Sequence, residues 1–193
     1  LVYTSGDTTS LNAGLNRALN IELFRTDEEG RARRLGDIIR LTKNTNVGLQ
    51  GNSRKLGLLG DPSMRLGLPG AEAVVETLND VDLESATAQM KALDLVEVSG
   101  YVRDPGGTVN GAFQGTANVT VFDVARKVSL LKQNRRRTPY YKIREDLIWR
   151  GEVEVVSGRF TARFVVPKAI SYANGLGRIT VYAFSPNEDA LGY

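Results

Sequence analysis

The sequence predicts a chain that is α+β by content, in which the C-terminal remnant of a three-layer α/β domain precedes an all-β immunoglobulin-like sandwich. Three observations lead there. At 193 residues the chain exceeds one typical domain and falls short of two large ones. Residues 1–68 read as strand, helix, helix, strand, and 93–193 as short strands at sandwich spacing. Residues 69–92 are expected to be the linker, with 73–78 a candidate first strand of the sandwich.

The first strand, 1–5, runs into the turn-and-cap cluster Gly6-Asp7-Thr8-Thr9-Ser10. Leu11, Leu15, Ala18, Leu19 and Leu23 then recur at helical spacing, and Ala32, Leu35, Ile38, Ile39 and Thr42 mark a second helix. Residues 55–59 predict a buried strand closed by Gly60-Asp61-Pro62. Two short strands cannot cover two helical apolar faces, and a core of fewer than about 70 residues without disulfide or metal is marginal. The N-terminal third is therefore expected to be the last part of a larger domain.

In the second part the predicted strands are 93–102, 117–123, 147–156, 160–166 and 178–184, with weaker signals at 73–78 and 140–143. That makes the seven that an immunoglobulin-like sandwich needs. Asp104-Pro105-Gly106-Gly107, Ser157-Gly158 and Asn174-Gly175 supply turns, and Ser157-Gly158 between alternating runs predicts a tight hairpin. Residues 84–92 fit either a short helix or an extended connection.

The chain has no Cys and no His. That removes thiol nucleophiles, imidazole bases, disulfides and His or Cys metal ligands, so no catalytic, cofactor or metal residue is expected in it. No apolar run approaches the roughly 20 residues of a membrane-spanning helix. The chain also opens on Leu1 in a strand, without a signal-like segment, which leads to the expectation that further sequence precedes it.

Charge is unevenly spread. Residues 71–97 hold seven acids and one base, whereas 126–144 hold eight bases and no acid. The basic run Arg126, Lys127, Lys132, Arg135, Arg136, Arg137, Lys142 and Arg144 surrounds Tyr140 and Tyr141. Cations interleaved with aromatics suit nucleic acid, but the net charge of +3 is modest and no nucleic-acid motif is present. Nucleic acid is therefore not an expected partner. A loop tip whose charges are solvated is the plain alternative.

Other candidates have mainly structural readings. Ser129-Leu130-Leu131-Lys132 matches Ser-x-x-Lys but lacks the accompanying Ser-Asp-Asn and Lys-Thr-Gly elements. Asp61 precedes Pro62 in a turn, where an Asp is usually structural. Glu145-Asp146 and Glu152 with Glu154 suggest an acid couple or a calcium site; Glu152 and Glu154 alternate with Val153 and Val155, as on a strand's wet face. Trp149 is expected in the core rather than exposed for glycan stacking.

The segment Asn52-Ser53-Arg54-Lys55-Leu56-Gly57-Leu58-Leu59-Gly60-Asp61-Pro62-Ser63-Met64-Arg65-Leu66 resembles the closing part of the gingipain-like cysteine peptidase domain, in particular its type IX secretion sortase branch. Residues 1–24, Val98-Ser99-Gly100-Tyr101-Val102 with Val119-Thr120-Val121-Phe122-Asp123, and Phe164-Val165-Val166-Pro167-Lys168-Ala169-Ile170-Ser171-Tyr172 agree with it.

The resemblance implies a parent that is a cell-surface Cys/His endopeptidase, with its dyad upstream of the region matching Leu1. No catalytic position carries over. It further implies a secreted, cell-surface or outer-membrane location in a Gram-negative bacterium, and processing of C-terminal secretion signals of type IX cargo by the parent. Expected partners are the upstream remainder of the peptidase domain and either other outer-membrane secretion components or an anionic glycan. Arg135, Arg136, Arg137, Lys142 and Arg144 would face such an anionic partner. A fragment is also expected to expose the helical apolar faces of 11–23 and 35–42 and to form a homodimer through them. The rival expectation is a free-standing cell-surface binding or adhesion module, in which those faces are covered.

Overall fold

The computed structural model describes residues 2–4, 9–29, 31–45, 56–130, 140–171 and 175–193. It divides into two units, Leu1–Leu68 and Pro69–Tyr193, and the whole is α+β with most regular structure in strands.

In the first unit β1 (Val2–Thr4) pairs antiparallel with β2 (Leu56–Leu58), and between them in sequence lie α1 (Thr9–Leu23) and α2 (Leu35–Asn44). The helical spacing read from the sequence has its physical outcome here. Leu15 and Leu19 of α1 and Ile38 and Ile39 of α2 are buried with Leu56, and Leu23, Leu35 and Leu58 pack around them. Of the apolar helix faces expected to be exposed, these residues cover one another, while Ile21 at the end of α1 stays exposed. Thr42 completes the α2 stripe fully buried, its hydroxyl donating to the Ile38 carbonyl at 2.7 Å.

Helix α2 has no side-chain cap at Arg34. Its first N–H groups, which no helical carbonyl can satisfy, instead reach the turn after β2: Leu35 donates to the Met64 carbonyl at 2.8 Å and Gly36 to that of Pro62 at 2.9 Å. A Cβ on Gly36 would stand 2.9 Å from the Pro62 Cβ, so glycine makes this approach feasible.

The second unit contains β3 (Ala71–Leu78), β4 (Val81–Asp82), β5 (Leu95–Arg103), β6 (Gly115–Phe122), β7 (Arg126–Ser129), β8 (Tyr140–Ile143), β9 (Leu147–Val156), β10 (Arg159–Val165), β11 (Arg178–Phe184) and β12 (Asp189–Gly192). Eight of these form one sheet in the order β12-β11-β6-β9-β10-β5-β3-β4. A parallel pairing of β12 with β3, Ala190 opposite Ala71 and Leu191 opposite Glu72, closes seven strands into a barrel-like ring with β4 outside it. Gly192 lies so close to the Ala73 carbonyl that no Cβ fits between them.

The seven strands of the ring are not the seven expected. Residues 140–143 form β8, which pairs only with β7 in a separate two-stranded sheet, and β12 takes the vacant place. Residues 73–78 lie within β3, inside the stretch read as a linker, while 84–92 form neither helix nor strand. The strand expected from 93 begins at Leu95, because Leu93 has a left-handed φ of 70°.

Period-two alternation fills the ring. On β10, Phe160, Ala162 and Phe164 are buried and Arg159, Thr161 and Arg163 exposed; Val96, Val98, Val119, Val121 and Val181 join them from neighbouring strands. Ser157 and Gly158, with φ of 50° and 73°, make the tight β9–β10 turn that the sequence predicted.

Candidate functional site

Within the basic run the two described segments pair antiparallel as β7 and β8, with Arg126 opposite Ile143, Lys127 opposite Lys142, Val128 opposite Tyr141 and Ser129 opposite Tyr140. Arg135, Arg136 and Arg137, like Lys132, lie outside the described residues. Lys127 and Lys142 form a like-charged cross-strand pair, an arrangement that costs stability unless an anion or an aromatic face offsets it. The Lys127 ammonium sits 3.9 Å from the centre of the Tyr140 ring, which supplies part of that offset. Tyr140, Tyr141 and Lys142 are exposed.

The two arginines at the hairpin base are engaged differently. Arg126 forms ion pairs with Glu145 and with Asp146, the latter at 3.6 Å, and the Glu145 hydrogen bond and charge raise its pKa above the usual guanidinium value. Arg144 is half-buried and donates to the Leu176 carbonyl at 3.0 Å, while its Nε is buried with no hydrogen-bond partner among the described residues. Lys142 therefore presents its charge outward, whereas Arg144 fastens the hairpin base to the segment before β11. The pair Glu145 and Asp146 serves Arg126 and does not form an acid couple.

Ser129 ends a strand, paired and exposed, and not the buried helix start that Ser-x-x-Lys chemistry requires. The Asp61 carboxylate accepts the Ser63 hydroxyl at 2.7 Å and the Ser63 N–H at 2.8 Å. These two bonds hold its pKa below the ordinary value and shape the turn that caps α2. Glu152 and Glu154 are exposed on β9 beside half-buried Val153 and buried Val155, a wet face as the alternation indicated. Trp149 stacks on Phe164 with ring centres 4.8 Å apart and packs against the core.

A cavity of about 500 Å³ opens between β3, the irregular stretch after β4 and the start of β11, lined by Val74, Val75, Leu83, Met90, Ile179 and Tyr193 among others. Its carboxylate, Glu72, is held by Arg103 at 2.6 Å. Among the described residues that line it, the cavity thus brings together no unengaged acid and base. Among the described residues no group of three acids is placed to hold a metal ion, and no helix is long and apolar enough to cross a membrane.

Two buried carboxylates that sequence reasoning missed organise the chain. Glu22 on α1 binds Arg25 at 2.9 Å and also Arg33. Asp123, just after β6, accepts the N–H groups of Val124 and Ser171. Nothing in a lone acid at a strand end announces burial, so the available signal was only its position after an alternating run.

No family model matches the sequence, and none of the curated proteins compared with it does. Among solved structures, that of dimeric latent PorU from Porphyromonas gingivalis matches over 88% of this chain at 31% identity with a TM-score of 0.61. This chain covers 16% of the PorU chain. Both units fall largely within the matched share, and the chain is PorU-like in sequence and fold over that region.

Proposed function

We propose that this chain is a non-catalytic, C-terminal part of a secreted gingipain-like cysteine peptidase of the sortase type. Residues 1–68 would close the peptidase domain, and 69–193 would form an immunoglobulin-like sandwich that stiffens it and offers a docking face. The observation that carries this reading is the 31% identity to PorU sustained over 88% of the chain.

The sandwich reading is supported by the strand order. The ring is thinnest at β9–β10 and at β3–β12, each joined at two paired positions, and these divide it into β3-β5-β10 and β12-β11-β6-β9. The parent's thiolate chemistry needs Cys and His, and this chain has neither. Its contribution is support and docking at the cell surface, with Lys142 of β8, and Arg135, Arg136 and Arg137 of the same basic run of sequence, recognising an anionic glycan or secretion component. Arg144 holds the hairpin base.

One observation favours the rival, a free-standing cell-surface binding module: Leu15, Leu19, Ile38 and Ile39 are buried without help from outside the first unit. The deciding experiment is intact mass and N-terminal sequencing of the protein purified from its producing cell. A product much larger than 21.1 kDa with a Cys and a His upstream is expected. A natural product beginning at Leu1 sinks the sortase reading and leaves the binding module.

A further inference from the structure

The ring of the second unit has one seam that its described strands leave open. β12 pairs with β11 from Val181 to Phe184 but with β3 only at Ala71 and Glu72. Both partners run on past it, β3 to Leu78 and β11 back to Arg178. β4 lies against the far end of the seam, at Thr77 and Leu78. Between lies the cavity of about 500 Å³, covered in part by the segment after β4, whose Leu83, Ala88 and Met90 pack against the core.

The lining defines a ligand. Its wall is mostly hydrocarbon: Val74, Val75, Leu83, Met90 and Ile179 are each half-buried, and Leu176 at the rim is 71% exposed, so apolar surface stays wet that a guest would cover. Its two charged side chains stand apart. Glu72 is level with Leu191, and therefore with Tyr182, four residues or about 13 Å along β11 from Arg178. Glu72 is taken up by Arg103, whereas Arg178 has no carboxylate partner among the described residues and lies over the Tyr193 ring, 6.0 Å from its centre. The edge of β3 on this side is largely engaged, with Leu83 donating to the Glu76 carbonyl at 3.0 Å and β4 paired to Thr77 and Leu78. An extended peptide, which adds to a sheet through its main chain, finds little free edge there. An alkyl chain needs none.

We propose that this cavity is a binding site for a single-chain alkyl carboxylate, an amphiphile of the fatty-acid class. The hydrocarbon tail lies along the seam against Val75, Leu83, Met90 and Ile179, and the carboxylate pairs with the Arg178 guanidinium at the mouth. Burial of the tail supplies the affinity. The planar guanidinium, able to hold both carboxylate oxygens, fixes the head. Glu72, already neutralised by Arg103, gives the other end no net charge to draw an anion, so the orientation is set. The volume falls within the roughly 300 to 1,000 Å³ of small-ligand sites. This inference uses the second unit alone and stands independently of the sortase reading.

The test is isothermal titration calorimetry of the full 193-residue chain with hexanoate, octanoate, decanoate and laurate, each below its micellar concentration, and with octylammonium, whose tail is similar and whose charge is reversed. Affinity is expected to rise about three- to fourfold per added methylene until the cavity is filled. Octanoate should bind at least about tenfold more tightly than octylammonium. Arg178→Gln, at an exposed strand position and with its fold checked by circular dichroism, should abolish that preference while the chain-length trend remains. The two methionines report location: with their methyl groups isotopically labelled, the Met90 signal should shift saturably with decanoate, and that of Met64, exposed in the first unit, should not. Absence of saturable laurate binding, equal affinity for octanoate and octylammonium, an Arg178→Gln chain that keeps the preference, or Met64 shifting in step with Met90 would each overturn the proposal. So would an acetylated Val-Leu-Val-Leu peptide with a free carboxyl end that binds more tightly than decanoate, since the cavity would then be a peptide groove.

Discussion

The Asp123 carboxylate accepts the backbone N–H of Ser171 at 2.6 Å, fastening the segment that follows β10 to the end of β6. Its other oxygen holds the Val124 N–H, also at 2.6 Å. Replacing Asp123 by Ala leaves two donors without their acceptor and should cost about 2 kcal/mol, with Asn recovering part of it because one carbonyl oxygen remains. Urea unfolding followed by Trp149 fluorescence checks this; an unchanged midpoint for Asp123→Ala would show that the segment is held by packing alone.

Asp27 offers a pH-dependent prediction. Burial would raise its pKa, but hydrogen bonds from the Arg31 backbone and the Arg65 guanidinium, the latter at 2.6 Å, with both guanidinium charges, hold it well below 3.8. A folded pKa below the unfolded one means that the stabilisation is present above pH 3.8 and is lost as pH falls toward the folded value. Asp27→Asn should therefore be less stable than the parent at neutral pH, and the gap should close steadily in acid titrations below pH 3.8. A gap independent of pH would assign its effect to the hydrogen bonds and not to the charge.

Gly36→Ala inverts the usual sign. Alanine in a helix is favoured over glycine by about 1 kcal/mol. Here the added methyl meets the Pro62 ring at 2.9 Å and pushes away the turn that caps α2. Net destabilisation of about 1 to 2 kcal/mol is expected from denaturant unfolding monitored by circular dichroism at 222 nm.

Leu93 points the other way. It holds a φ of 70° while remaining 66% exposed, so its side chain contributes little burial to offset a left-handed backbone that disfavours L residues by about 1 to 2 kcal/mol. Leu93→Gly should raise the melting temperature by roughly 1 to 3 °C after glycine's extra unfolded-state entropy is subtracted, and Leu93→Val should lower it. Differential scanning calorimetry on the three proteins decides.

Much of this architecture was legible because local patterns and tertiary environment agree. β9 and β11 run over the same residues that alternation marked, and the Ser157-Gly158 turn adopts the left-handed pair that its composition favours. β12 was hidden because four residues, Asp189–Gly192, are too few for a period to show, and its place is set by parallel pairing with a strand over a hundred residues earlier. β8 was visible as a strand but not as part of a separate hairpin, since alternation says nothing about partners. The site was less legible than the fold. The basic run could be read by composition, but only coordinates show that Arg126 is neutralised by Glu145, that Arg144 is turned to Leu176 and that Lys127 faces Lys142.

The β3–β12 pairing joins the first long strand of the second unit to its last, side by side and pointing the same way. A pull on the two ends of this unit therefore loads both strands in opposite directions along their common axis. All rungs of that contact share the load together, in shear, and none opens ahead of the rest as in an unzipping hairpin. A molecule tethered at one end and dragged at the other would load no interior strand until this contact gave way, and Gly192, wedged against the Ala73 carbonyl, is the position at which a single side chain would loosen that clasp.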